Sequence, residues 1–109
     1  MTITGESSHQ IRQRVIQARQ RQTARYQSEN TLNNAQLKPR LVKKYCQPDE
    51  GGMALLEKAV AQFGLSARAY GRILRVSRTI ADLAESNTIQ PSHVAEAIHY
   101  RTLDRSLSL

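Results

Sequence analysis

The strongest constraint on the fold lies in residues 64–83, "GLSARAYGRILRVSRTIADL". Ala69, Ile73, Val76, Ile80, Leu83 and Ala84 recur at spacings that gather them on one side of a helix, because an α-helix turns about 100° per residue. Arg68, Arg72, Arg75 and Arg78 follow at intervals of four, three and three. The first three fall within about 60° of one another, nearly opposite the apolar stripe. Ser66 is placed to cap the start of this helix, and Gly64 to end the element before it in a left-handed conformation. A helix with one apolar face requires partners to cover that face.

The rest of the chain supplies helical partners. Ser7 or Ser8 caps a helix expected to reach about Tyr26, with Ile11, Val15, Ala18 and Tyr26 on one side and Gln22 interrupting them. Residues 26–40, "YQSENTLNNAQLKPR", are polar and read as a linker. A short helix over about 39–45 offers Leu41, Val42 and Tyr45. Pro48 and Asp49 open another through Phe63, with Leu55, Leu56, Ala59, Val60 and Phe63 in register. Gly51 and Gly52 fall in its first turn and weaken it by about 1 kcal/mol each relative to Ala. The arginine helix is expected to end near Ser86 and Asn87. Gln90 and Pro91 begin a last helix to about Arg101, with Val94, Ala97 and Ile98 inward. The expected fold is all-α, five helices without a strand. Its organisation reads as an irregular lead-in at 1–6, a basic helix and polar linker at 7–37, a helical domain at 38–105 and a tail at 106–109.

Composition agrees with a helical core: there is no Trp, only five Phe and Tyr residues, and 39% hydrophobic residues. The formal charge is +7 and the pI is near 10.2, which favours anionic partners. Residues 1–54 carry nine Lys and Arg against four acids, and residues 55–109 seven against five. One cysteine, Cys46, excludes an internal disulfide and fits a reducing cytoplasm. His9, His93 and His99 are not spaced as metal ligands, and zinc is not expected. No apolar run nears the ~20 residues that span a bilayer, so a membrane is not expected as a partner, and the localisation expected is cytoplasmic.

Catalytic signatures are missing from the chain. No GxxxxGK[ST], GxSxG or HExxH motif occurs. Asp49 and Glu50 suit a helix N-terminus, while Asp82 and Glu85 read as a polar face near Arg78, which sits four residues before Asp82. Arg68 lies two residues past its cap, where a helix terminus favours anions and a cation is electrostatically misplaced. Two readings follow from spacing. Arg68, Arg72 and Arg75 form either a solvated face or a grip on a phosphate. Upstream, Arg12, Arg14, Arg19, Arg21 and Arg25 occur with no acid between Glu6 and Glu29. Arg14, Arg21 and Arg25 line one edge of the first helix and are candidates for contacting nucleic acid.

The segment "GLSARAYGRILRVSRTIADLAESNTIQPSHVAEAIHYRTLDR" resembles the C-terminal region of the magnesium-chelatase-related AAA+ ATPases, the ComM/YifB group. "GESSHQIRQRVIQARQRQTARY", "NAQL" and "CQPDEGGMALL" are similar to the same proteins, and the resemblance spans about residues 5–105. It implies the small helical lid that follows an ATPase core. It also implies that Ser66-Ala67-Arg68 matches the sensor-2 position, making Arg68 a contact for the nucleotide's γ-phosphate. Arg72 and Arg75 are then surface or subunit-contact residues.

The resemblance further implies ATP and Mg²⁺ in a full-length protein, a homo-hexameric ring, and a DNA-handling motor in competence and recombination. The phosphate loop, the Mg²⁺-binding acidic motif and the core sheet are not in this chain, so it is expected to be a fragment that does not hydrolyse ATP alone. Gly71 stands where relatives carry a bulkier residue, and Gly51-Gly52 replace better helix formers, which suggests local looseness. The alternatives are a stand-alone basic helical module that binds nucleic acid, and a protein-interaction domain.

Overall fold

A computed structural model describes residues 7–31 and 33–107, with side chains through Arg101. Among the described residues there are five α-helices: α1 (Ser8–Arg25), α2 (Pro39–Tyr45), α3 (Glu50–Phe63), α4 (Ala67–Leu83) and α5 (Pro91–Leu107), with a 3-10 turn at Asn34–Gln36 between the first two. No strand occurs among the described residues; Pro48 and Ile89 form one isolated bridge. The lead-in expected at 1–6 and the last two residues of the expected tail lie outside the described residues. The last helix runs six residues past the expected end, through Leu107.

Side-chain caps start most of these helices. Ser7 Oγ accepts from Gln10 N at 3.1 Å, and Gln10 Oε1 accepts from Ser7 N at 2.9 Å, a reciprocal box that satisfies two orphan donors. Asp49 caps α3 through Gly52 N at 2.8 Å, and Gly64 ends it at φ 59°. At the start of α5, the His93 ring accepts from Gln90 N at 2.9 Å through Nδ1. Helix α4 stops at Leu83, three residues before the expected end. Glu85 there takes a left-handed φ of 58°, and Ser86 N and Glu85 N bond back to the carbonyls of Ala81 and Asp82. That is a Schellman closure with a non-glycine residue at its left-handed position.

Helix α4 is the axis of the domain. It packs against α5, α1, α2 and the 3-10 turn, while α3 closes on α5. Leu56, Ile73, Leu74, Ala81, Ile89, Val94 and Ala97 form the centre of the core, with Leu37, Leu41, Val42, Cys46 and Tyr26 continuing it. Each fully buried aliphatic side chain contributes about 1.5–3 kcal/mol.

Two expected stripes are altered by this packing. On α4 the buried residues are Ile73, Leu74, Ser77, Arg78, Ala81 and Asp82, whereas Val76, Ile80 and Leu83 are only partly covered. The buried face is therefore turned toward Leu74 and Arg78, because helices approach α4 from several sides. On α1 only Ala18 and Gln22 are buried, and Ile11 and Val15 remain 46% and 38% exposed.

Gly52 corrects the expectation of looseness around Gly51-Gly52. A Cβ there would sit 2.9 Å from Pro48 Cβ and 3.2 Å from the Ile89 carbonyl. The missing side chain lets α3 close against the strap that donates Asp49 N–H to Ile89 O at 2.9 Å. This glycine serves tight packing.

Candidate functional site

The first turn of α4 and the face of α2 border an open groove of about 440 Å³. Ser66 Oγ accepts from Ala69 N at 3.1 Å and fixes where the helix begins. Arg68 follows as an exposed residue of that first turn. Its guanidinium has no hydrogen-bond or ion-pair partner among the described residues. Val42, Tyr70, Gly71 and Leu74 supply the apolar wall, and Lys43 of α2 joins Arg68 on the lining. Among the described residues no acidic side chain lines the groove. Its chemistry is that of a cationic rim beside a helix N-terminus, which favours an anionic group.

Arg75 also borders this groove but is committed to the fold. Its Nε and Nη2 donate to the Leu37 carbonyl at 3.1 and 2.8 Å. Of the three arginines read as either a solvated face or a phosphate grip, Arg68 and Arg72 are exposed and Arg75 is half-buried. Gly71 makes room for this arrangement, since a Cβ there would lie 3.1 Å from Arg75 Nη1. By pinning Leu37, Arg75 sets the approach of α2 to α4 and so the width of the groove.

A second cluster of charge lies inside the molecule. Arg25 grips Asp82 with both terminal nitrogens, Nη1 to Oδ2 at 3.0 Å and Nη2 to Oδ1 at 2.5 Å. Arg78 approaches the same carboxylate at 3.4 Å and donates to the carbonyls of Ser86 and Asn87 at 2.9 and 3.2 Å. Asn34 Nδ2 donates to Asp82 and to Thr79, each at 3.0 Å. Asn34 Oδ1 accepts from Tyr26 Oη at 2.5 Å, and Asn34 N donates to Gln22 Oε1 at 3.0 Å. The Asp82 side chain is completely buried.

Burial works against the charge on both arginines. For Arg25 the hydrogen bonds with Asp82 and Tyr26 outweigh it and raise the pKa. For Arg78 burial prevails and lowers the pKa, with Asp82 opposing. The Nε of Arg78 is buried without a hydrogen-bond partner among the described residues.

This cluster corrects three expectations. Asp82 and Arg78 are interior groups, so they are not a polar face. Arg25 is held in an ion pair with its side chain 19% exposed, which removes it from the outward arginine edge; Arg14 stays exposed and Arg21 is half-buried. The polar segment after α1 is not a simple linker, because Tyr26 and Asn34 are each 1% exposed. The structure also does not unite the two groups of arginines. Arg25 is anchored at Asp82, about 21 Å along α4 from Arg68 at 1.5 Å per residue. Gln22 carried a readable signal: a polar residue in register with Ala18 and Tyr26 implies a buried polar partner. Lys43 carried none, as only the packing of α2 brings it to the groove.

Fold and site together define a small all-α domain built around one central helix, with an uncommitted arginine at that helix's N-terminus. The chain belongs to the family described as magnesium chelatase, subunit ChlI C-terminal, which matches residues 5–101. It is 40% identical to the uncharacterized protein YifB of Escherichia coli K12 over 105 residues, 96% of this chain and 20% of that protein. It is 42% identical to the competence protein ComM of Haemophilus influenzae over 103 residues, 94% of this chain and 19% of that protein. An uncharacterized protein of Mycobacterium tuberculosis H37Rv is 34% identical over 97 residues, 89% of this chain and 19% of that protein. The chain spans about a fifth of the length of these relatives.

Proposed function

We propose that this domain is the C-terminal helical lid of a AAA+ ATPase related to ComM, and that Arg68 is its sensor-2 arginine. The observation that carries the reading is the contrast within one helix. Arg75 and Arg78 are bound to backbone or carboxylate, whereas Arg68 stands exposed at a capped N-terminus beside Lys43. A guanidinium there can pair with two oxygens of a terminal phosphate. ATP with Mg²⁺ would supply the cleavable phosphoanhydride, held by a core domain of the same polypeptide. Arg68 would bind the phosphate end, and loss of that contact after cleavage would release the lid.

In this reading the longer protein is a cytoplasmic motor assembled as a homo-hexamer. The name of the ComM relative extends the reading to competence, with DNA as the material handled. Substituting Arg68→Ala in a full-length protein tests the assignment. ATP turnover should be abolished while the circular dichroism spectrum and melting curve stay unchanged. Unchanged turnover would reduce the domain to a structural or interaction module.

A further inference from the structure

Two apolar depressions on the far side of Arg75 from the Arg68 groove adjoin one another. One, of about 330 Å³, lies between α1 and α4; the other, of about 290 Å³, lies between α4 and α5. They share Ala35, Thr79 and Leu83, so they form one trough. Its floor is the edge of α4 that the core leaves half covered, Val76, Ile80 and Leu83, at i, i+4 and i+7. Val15 of α1 walls one side and Tyr100 of α5 the other, 38% and 47% exposed. Such a row of partly covered aliphatic side chains between two helical walls is the form in which a groove receives a helix.

Charge decides among occupants. Of the α1 arginines, Arg19 lines the α1 wall of the trough and Arg25 is turned inward to Asp82, while no acid occurs between Glu6 and Glu29; Arg75 of α4 adds a second cation to the lining. Glu96 is the sole acid on the lining among the described residues and accepts from Tyr100 Oη at 3.2 Å. A second copy of this chain docking through α1 would set arginine against arginine. An acidic flank would meet opposite charge on that wall, which favours encounter and register.

We infer that the trough spanning α1, α4 and α5 is a docking surface for an amphipathic helix of a partner, with an apolar ridge on Val76, Ile80 and Leu83 and acidic residues facing α1. The inference does not depend on Arg68 contacting a nucleotide.

Two synthetic helical peptides test it, sharing one leucine ridge and flanked by Glu in one and by Lys in the other. Each is titrated into the isotope-labelled chain and followed by amide and methyl chemical shifts. The Glu peptide should shift resonances of Val76, Ile80, Leu83 and Ala35 and bind at least tenfold more tightly than the Lys peptide. Ala35→Tyr, which fills the trough from an exposed position, should weaken it at least tenfold with the helical spectrum retained; Leu83→Ser should act in the same direction. Equal binding of both peptides, shifts elsewhere, or no binding of the Glu peptide at millimolar concentration would overturn the inference. So would dimerisation of the chain alone that Ala35→Tyr abolishes, since the occupant would then be a second copy.

Discussion

Arg78 and Arg68 stand ten residues apart on α4 and have opposite surroundings. Arg78 is buried, shares the Asp82 carboxylate with Arg25, and donates to the carbonyls of Ser86 and Asn87 in the loop after its own helix. Arg68 faces solvent at the amide end, where the helix dipole disfavours its charge. The difference teaches that a row of one residue type is not a functional unit. Packing from α1 and the loop after α4 draws one guanidinium into the structure, while the open side of α2 leaves the other available for a ligand.

The largest effect should come from the buried end. Asp82→Ala would leave the buried guanidinium of Arg78, the partly buried one of Arg25, and Asn34 without their shared acceptor. It is expected to cost about 3–5 kcal/mol in chemical denaturation. Added salt should not change that loss much, because buried pairs are poorly screened. A loss below about 1 kcal/mol would mean that the cluster is wet and that the contrast with Arg68 is false.

Alkaline titration should give a smaller effect. Burial pushes the Cys46 thiol up to about 11 and also raises the Tyr26 hydroxyl. The folded state therefore keeps protons that the unfolded chain releases. This stability is fully present below pH about 9, the ordinary thiol range, and is lost as pH rises toward about 11. The loss from Cys46 is on the order of 2 kcal/mol. Denaturation midpoints measured across that window, with Cys46→Ala as the control, should show the slope flatten in the variant.

At the solvent end the effects shrink. Ser66→Ala removes the cap that fixes the first turn of α4 and should cost about 1 kcal/mol in thermal melts. Arg68→Ala should change stability by less than about 0.5 kcal/mol. If Arg68→Ala instead destabilised the fold as strongly as Asp82→Ala, the two ends of α4 would not differ in role.

Much of the fold was legible in the residues because its signals are local. The Ser7 and Ser66 caps, an acidic α3 start at Asp49, Gly64 at a left-handed φ and Pro91 at a helix start all stand where the pattern placed them. The helical period of α5 also survived packing, and that of α3 did so except at Phe63, which stays 44% exposed at the end of its helix. What escaped was long-range. Arg25 and Asp82 are 57 positions apart, and neither looks different in sequence from a solvated residue. Asn34 sits in a polar run whose composition suggests a loop, yet its amide links α1 to α4. The position of Arg68 at a helix start was readable from Ser66. Its neighbour Lys43 and the tethering of Arg75 depend on how α2 is laid across α4.

The attachment of α1 has a consequence for how the domain opens. Ala18 is the only apolar side chain of that helix that is buried. Its hold on the rest comes mainly from Gln22, Arg25 and the adjoining Tyr26 reaching into the Asn34–Asp82 cluster. The other four helices share the aliphatic core. Helix α1 is thus a separate cooperative unit, able to lift away when one polar cluster breaks. Its amide protons should exchange with solvent through that partial opening, at lower free energy than those of α4 and α5, which must wait for the core itself to open.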